Sequence, residues 1–280
     1  VEIHQLHSII DSALNEDIGK GDYSGLSCIP EFAIGEMYLK VKQNGIIAGI
    51  DLAEIIVQRF DKTIEFNKIL HDGNTIEYGD IAFTLKGNVR KMLILERLIL
   101  NFMQRMSGIA THTAEYVKAI SGLNCKVLDT RKTTPGLRVI EKWAVRIGGG
   151  YNHRMGLYDM IMLKDNHVDF CGNITNAILQ ANKYLEANKI NIPIEIETRN
   201  LQEVKEVLSI GKIQRIMFDN FSIENMREAV KLVDKQFETE ASGGINLQTA
   251  RSYAETGVDF ISVGALTHQL KSLDLSLKAL

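Results

Sequence analysis

Apolar positions fall along this chain with two different periods. Ile3, Leu6, Ile9, Ile10, Ala13 and Leu14 make a stripe of helical spacing that ends near Gly19. Glu16–Ser24, EDIGKGDYS, reads as a loop. From Gly35 to Val89 the text becomes short β-like runs punctuated by NG, DG and GD turns, with a helix expected over Asp51–Phe60. These elements predict an α+β module over roughly the first 105 residues.

The remainder alternates. Apolar runs recur at Lys126–Leu128, Met160–Leu163, Ile192–Ile196, Arg215–Phe218, Phe237–Ala241 and Asp259–Val263. Helical patterns over Leu137–Ile147, Thr175–Ala187, Leu201–Leu208, Glu224–Val233 and Leu247–Glu255 lie between them. Such alternation predicts parallel strands joined by right-handed crossovers. An open doubly wound sheet and a β/α barrel both fit it. The residues after the six runs are Asp129-Thr-Arg-Lys, Lys164-Asp-Asn-His, Glu197-Thr-Arg, Asp219-Asn, Ser242-Gly-Gly and Gly264-Ala. Polar or glycine chemistry at all six ends favours a barrel, where every such end reaches one mouth. In an open sheet only the ends beside the switch point would meet.

Composition narrows the class. The 280 residues carry 32 Lys and Arg against 35 Asp and Glu, a formal charge of -3 that weighs against a nucleic-acid-binding role. Three widely spaced cysteines, Cys28, Cys125 and Cys171, fit a reducing compartment rather than a disulfide scaffold. The opening VEIHQLHSII shows no signal-peptide pattern, and charged and polar residues interrupt the most apolar run, Met92–Met106. A cytoplasmic protein without a membrane partner is expected.

Charge is unevenly placed. Asp129–His167 holds seven Lys and Arg against four Asp and Glu, a local +3. A solvated basic surface is the plain alternative. However, Arg131-Lys132 and Lys164 follow strand ends, and His153-Arg154 follows the glycines at 148–150, so a pocket for a multiply charged anion is the better reading. In Ile194-Glu195-Ile196-Glu197 the two carboxylates share one face, which in a barrel points into the lumen and demands partners. Ser242-Gly243-Gly244 and Gly264 occupy the last two loops, a recurrent phosphate site of β/α barrels. His4 and His7 make a poor metal pair, and His167 is as readily a structural hydrogen-bonder as a catalyst.

The ordered set ERLILNFMQRMSGIATHT, TRKTTPGLRVIEKWAVRIGGGYNHRMGLYDMIMLKDNH, EIE, FDN, EASGGI and SVGALT resembles the quinolinate phosphoribosyltransferases, over nearly the whole chain. The resemblance implies an α/β fold: an N-terminal α/β sandwich domain over 1–108, then a β/α barrel with six parallel strands over 109–265, and a C-terminal helix over 266–280 returning to the first domain. It implies phosphoribosyl transfer from phosphoribosyl pyrophosphate to quinolinate, with decarboxylation to nicotinate mononucleotide. Arg131, Lys132, His153, Arg154 and Lys164 would hold the quinolinate carboxylates, and Arg97 would reach the site of a neighbouring subunit in a homodimer, with higher assembly left open. Glu197 and Asp219 would face the ribose and the magnesium that phosphoribosyl pyrophosphate carries, and Lys132, Lys164, Glu197 and Asp219 would be catalytic. Ser242, Gly243, Gly244 and Gly264 would bind the 5′-phosphate. The chain departs from the family's usual pattern at Glu141–Trp143 and Asp22–Ser24, neither of which touches an expected ligand. Rival readings are a relative acting on another pyridine carboxylate, a phosphate-binding barrel isomerase or aldolase, and a non-catalytic anion-binding protein.

Overall fold

A computed structural model describes residues 3–280. In chain order the elements are α1 (Ile3–Ile18), α2 (Tyr23–Cys28), β1 (Ile34–Val41), β2 (Gly45–Ile46), α3 (Ile50–Phe60), β3 (Glu65–Lys68), β4 (Thr75–Ile76), β5 (Ile81–Asn88) and α4 (Val89–Ala119). There follow β6 (Lys126–Leu128), α5 (Arg138–Ile147), β7 (Ile161–Leu163), α6 (Asp165–Cys171), α7 (Ile174–Asn188), β8 (Ile194–Thr198), α8 (Leu201–Ile210) and β9 (Arg215–Asp219). The last are α9 (Ile223–Val233), β10 (Glu238–Ser242), α10 (Ala250–Ala254), β11 (Phe260–Ser262), α11 (Ala265–His268) and β12 (Leu275–Ala279). The chain divides into two compact units. Residues 1–114, 133–149 and 266–280 make the first, and residues 115–132 and 150–265 the second.

The first unit is built on an antiparallel sheet of order β12-β1-β5-β3. Part of the expected loop at Glu16–Ser24 is helical, because the Asp22 carboxylate accepts the Ser24 N–H and starts α2 there. The segment 266–280 corrects an expectation. It does return to this unit, but as a strand, with β12 pairing β1 from Met37↔Ala279 to Val41↔Leu275. Leu273, Leu275 and Leu277 recur every second residue and are all buried, which is strand periodicity. Helix α5 also belongs to this unit. There Arg105 of α4 grips the fully buried Glu141 at 2.6–2.8 Å and donates to the Thr134 hydroxyl at 2.7 Å.

The second unit carries a six-stranded sheet of order β6-β11-β10-β9-β8-β7, and every pairing is parallel. The order runs in one direction through the chain, and the last strand, β11, lies beside the first, β6. An open doubly wound sheet would reverse direction at a switch point, so this is barrel ordering. Tyr151 supplies a stub beside the other edge of β6, bridging Leu128 through backbone bonds of 2.8 and 3.1 Å. Strand β8 is buried at all five positions, with isoleucine and glutamate alternating. Each strand therefore delivers its carboxyl-terminal residues to one end of a packed sheet.

Candidate active site

The mouth is organised from Asp129, the residue after β6, which is fully buried. Its carboxylate accepts the His153 backbone N–H at 2.8 Å and the Asn152 side-chain amide at 2.6 Å. The segment carrying His153 and Arg154 is thus hung from the end of β6. Beyond it, the Asp159 carboxylate accepts the N–H groups of Met155 and Gly156 and closes the loop. Arg154 is only 8% exposed, and its guanidinium donates to the Met160 carbonyl at 3.2 Å. Burial works against its charge, and so does the nearby Arg131 guanidinium. Two guanidiniums are therefore held within each other's field, an arrangement that an anion between them would relieve. Arg131 and Lys132 are exposed, and the Lys132 N–H donates to Thr130 Oγ1 at 3.0 Å.

Lys164, exposed at the end of β7, reaches Glu197 across 3.4 Å. Burial raises the Glu197 carboxyl above its ordinary range, Lys164 opposes that shift, and Asp219 adds to it. Lys164 and the two carboxylates expected to face ribose are thus electrostatically joined. The His167 ring accepts the Lys164 N–H through Nδ1 at 3.0 Å and starts α6, a structural bond. Asn220, in left-handed backbone at φ 54°, donates its side-chain amide to Asp219 at 2.7 Å. Its own N–H goes to the Ser242 carbonyl at 2.9 Å. That ties the ends of β9 and β10 together. Gly243 has φ +102°, and a Cβ there would stand 2.2 Å from Asn220 Oδ1 and 2.9 Å from Asn220 N. Only glycine fits. Gly244 is exposed with open space beside it. Gly264 follows β11, whose neighbour Val263 bonds the Leu128 carbonyl. The helix expected from Leu247 begins only at Ala250 and has five residues, and α11 has four. A helix macrodipole therefore contributes less to these loops than their glycine-rich backbone.

Beneath the mouth lies a buried charge network that includes residues outside the expected set. The His153 ring approaches Glu195 Oε2 at 2.9 Å and Glu240 Oε2 at 3.4 Å through Nε2. The Glu195 contact is an ion-pair approach without hydrogen-bond alignment. Glu240 also takes the Arg215 guanidinium at 3.0 Å and the Ser262 hydroxyl. Both glutamates are fully buried. Burial, then Glu240, pushes the Glu195 carboxyl up to about 7. Burial also disfavours charge on His153, but Glu195 and Glu240 outweigh it and pull the imidazole up to about 9. His153 Nδ1, however, accepts the Arg154 backbone N–H at 2.7 Å, which requires that nitrogen to be bare. That contact is the stronger constraint. It fits the ring as the neutral Nε2–H tautomer. His153, Glu195 and Glu240 could geometrically offer three ligand atoms to a metal. The Arg215 guanidinium already supplies the cation there. Glu240 shared the lumen-facing logic applied to Glu197, and the alternation of Glu238-Thr-Glu240-Ala-Ser242 is the signal that could have found it. Asp129 and Asn220 had no such signal, since their roles rest on tertiary bonds.

Arg97 is exposed on α4 and belongs to the first unit. All other expected site residues, from Arg131 to Gly264, belong to the second.

Family models for the N-terminal and C-terminal domains of quinolinate phosphoribosyl transferase match residues 22–107 and 109–278. The chain belongs to the quinolinate phosphoribosyltransferase family. Relatives within this family include the chloroplastic carboxylating nicotinate-nucleotide pyrophosphorylase of Arabidopsis thaliana, 44% identical over 98% of this chain and 83% of that protein. The rice protein of the same name is 43% identical over 98% of this chain and 78% of its own length. Among solved structures, NadC from Streptococcus pyogenes superposes with a TM-score of 0.94 at 38% identity, covering 100% of this chain and 99% of that one. The nicotinate-nucleotide pyrophosphorylase from Francisella tularensis superposes at 0.91, also with 38% identity, covering 100% of this chain and 98% of the other. The quinolinate phosphoribosyltransferase fold thus accounts for both the antiparallel N-terminal sheet and the six-stranded parallel barrel.

Proposed function

We propose that the barrel mouth joins quinolinate to phosphoribosyl pyrophosphate and releases carbon dioxide and pyrophosphate, leaving nicotinate mononucleotide, a step of NAD biosynthesis. The observation that carries this reading is the pairing of Arg131 with the buried Arg154, like charges held in one field at the mouth. A dianion with adjacent carboxylates offsets that repulsion, and Lys132 and Lys164 complete the cation set. The quinolinate nitrogen attacks C1 of the ribose as the C1–O bond to pyrophosphate breaks. Positive charge develops on the ribose, where Glu197 and Asp219 stabilise it. Magnesium enters as part of the donor substrate, and with Lys132 and Lys164 it offsets the charge of departing pyrophosphate. Quaternisation turns the ring into an electron sink, so the adjacent carboxylate leaves as carbon dioxide and the ring carbon takes a proton. Ser242, Gly243, Gly244 and Gly264 offer their backbone to the 5′-phosphate.

Incubating the purified chain with both substrates and magnesium tests this reading. Equal amounts of carbon dioxide, pyrophosphate and nicotinate mononucleotide are expected, and a lack of any of the three contradicts it. A panel of pyridine carboxylates separates quinolinate from the rival acceptors.

The active assembly is a homodimer in this reading, with Arg97 donated to the partner's site. Its support is the exposure of Arg97, together with Tyr23, Leu26, Phe32 and Ile34, four large apolar side chains exposed by 54–83% within one short stretch of the same unit. Arg97→Ala and Arg154→Ala proteins are each expected to be inactive. Mixed and reassembled, they should recover about a quarter of wild-type sites, because half the dimers then contain one intact site. No recovery would contradict the sharing. The three cysteines are all free thiols, which supports a cytoplasmic location. No helix among the described residues is long and apolar enough to cross a membrane.

A further inference from the structure

His153 stands among the cations expected to hold quinolinate, yet its ring is turned away from that task. Nδ1 accepts the Arg154 N–H at 2.7 Å, and Nε2 lies 2.9 Å from Glu195 and 3.4 Å from Glu240. Its side chain is 6% exposed. Its backbone N–H is held by Asp129. Nδ1 is taken by the Arg154 N–H, and Nε2 faces the two glutamates inside the barrel, so neither ring nitrogen is turned towards a carboxylate at the mouth. The carboxylates that hold it are themselves anchored, since Glu240 takes Arg215 and the Ser262 hydroxyl from neighbouring strands.

We propose that His153 is a positioning residue rather than a substrate ligand, and that Glu195 and Glu240 act through it to set where the Arg154 guanidinium stands. The ring is a strut between the barrel floor and the Arg154 backbone. Glu195 and Glu240 orient its Nε2–H, that orientation aims Nδ1 at the Arg154 N–H, and the backbone direction at Arg154 places a guanidinium whose other anchor is the Met160 carbonyl. Two fully buried acids thereby contribute to recognising an acidic substrate without approaching it. The chemistry also explains why carboxylates lie so near an anion site: Arg215 offsets their charge from within. This inference rests on the quinolinate reading above for its ligand. The ring geometry does not.

The test combines quinolinate titration calorimetry with nitrogen-15 NMR of the histidine rings, on the full-length protein. His153→Ala and Glu195→Ala are each expected to weaken quinolinate binding about tenfold, the scale of a misplaced but intact binding group. The double variant should lose no more than either alone. Arg154→Lys should mask both effects, and Glu195→Gln, which keeps an acceptor for Nε2–H, should recover affinity to within about threefold. Affinity for phosphoribosyl pyrophosphate should hold in all of them, which a general structural defect would not allow. The NMR spectrum should show His153 with Nε2 protonated and Nδ1 bare, unchanged by quinolinate. The proposal is overturned if His153→Ala weakens quinolinate as much as Arg154→Ala while Glu195→Ala does nothing. It is equally overturned if the losses add, or if quinolinate shifts the Nδ1 resonance. Should wild-type protein bind no quinolinate while the ring keeps this tautomer, the substrate reading falls and the strut stands.

Discussion

Two layers of the same barrel carry charge, and they settle it in opposite ways. At the mouth, Arg131 and Arg154 share a field, and Lys164 faces Glu197 across 3.4 Å with half its side chain in solvent. Below, His153, Glu195, Glu240, Arg215 and Ser262 approach one another inside the barrel, with both glutamates fully buried. The exposed cations of the mouth stand in water, and the floor is closed. Buried charge survives only when paired, so the floor's pairing is the condition of its existence. At the mouth, solvent screens the exposed Arg131, Lys132 and Lys164, so like charges can stand in one field there. The contrast separates groups that bind substrate from groups that place them.

The contrast can be broken at either layer. The largest effect is expected at Glu197, where Glu197→Gln should lower kcat about a thousandfold with little change in quinolinate affinity, since the carboxylate acts on charge that develops during reaction. Steady-state kinetics with both substrates varied checks the split. Arg131→Ala should weaken quinolinate about a hundredfold, as expected when a charged hydrogen-bonding partner is removed. Its unfolding temperature should stay near wild type because Arg131 is exposed. At the floor the pattern inverts. Glu240→Leu removes the buried partner of Arg215, leaving it the more exposed Glu238, and should cost up to roughly 3–5 kcal/mol of stability in chemical denaturation, the penalty for breaking a buried pair. Gly243→Ala should weaken phosphoribosyl pyrophosphate about tenfold through displacement of Asn220, and hence Asp219, while quinolinate binding holds. The smallest effect lies outside both layers, at Asp61 in the first unit. Its bond from Lys91, and then those from Thr63, hold its carboxyl down to about 2. Because the folded value lies below the ordinary one, Asp61 adds stability above about pH 4 and loses it as pH falls towards 2. Asp61→Asn should flatten that acid limb slightly in pH-dependent melting and lower neutral stability by a similarly small amount, because its Lys91 partner is exposed.

Much of this architecture was legible because its signals are local. All six parallel strands were marked by apolar runs ending in polar or glycine residues, and the structure puts them at the expected places with shifts of one or two residues. The Ile194–Glu197 alternation marks a buried acid face in the sequence itself. What escaped depends on distance in the chain. LDLSLKAL forms a strand where a helix is expected although its leucines alternate, because a short terminal run becomes a strand only when β1 offers an edge to pair. Helix α5 looked like one more barrel crossover, yet the first unit claims it, and Glu141 finds its partner in Arg105, 36 residues away. Asp129 and His153 act through bonds that no spacing rule encodes. The cations were visible in the sequence, whereas the inward turn of the His153 ring was not.

The most direct test of the contrast is thermal unfolding of the wild-type protein with quinolinate or with nicotinate, its single-carboxylate analogue. If the proposed site takes two carboxylates, quinolinate should stabilise the protein by about 2.7 kcal/mol at a hundredfold excess over Kd, and nicotinate far less at the same concentration. Equal stabilisation by the two ligands, or none by quinolinate, would contradict the account.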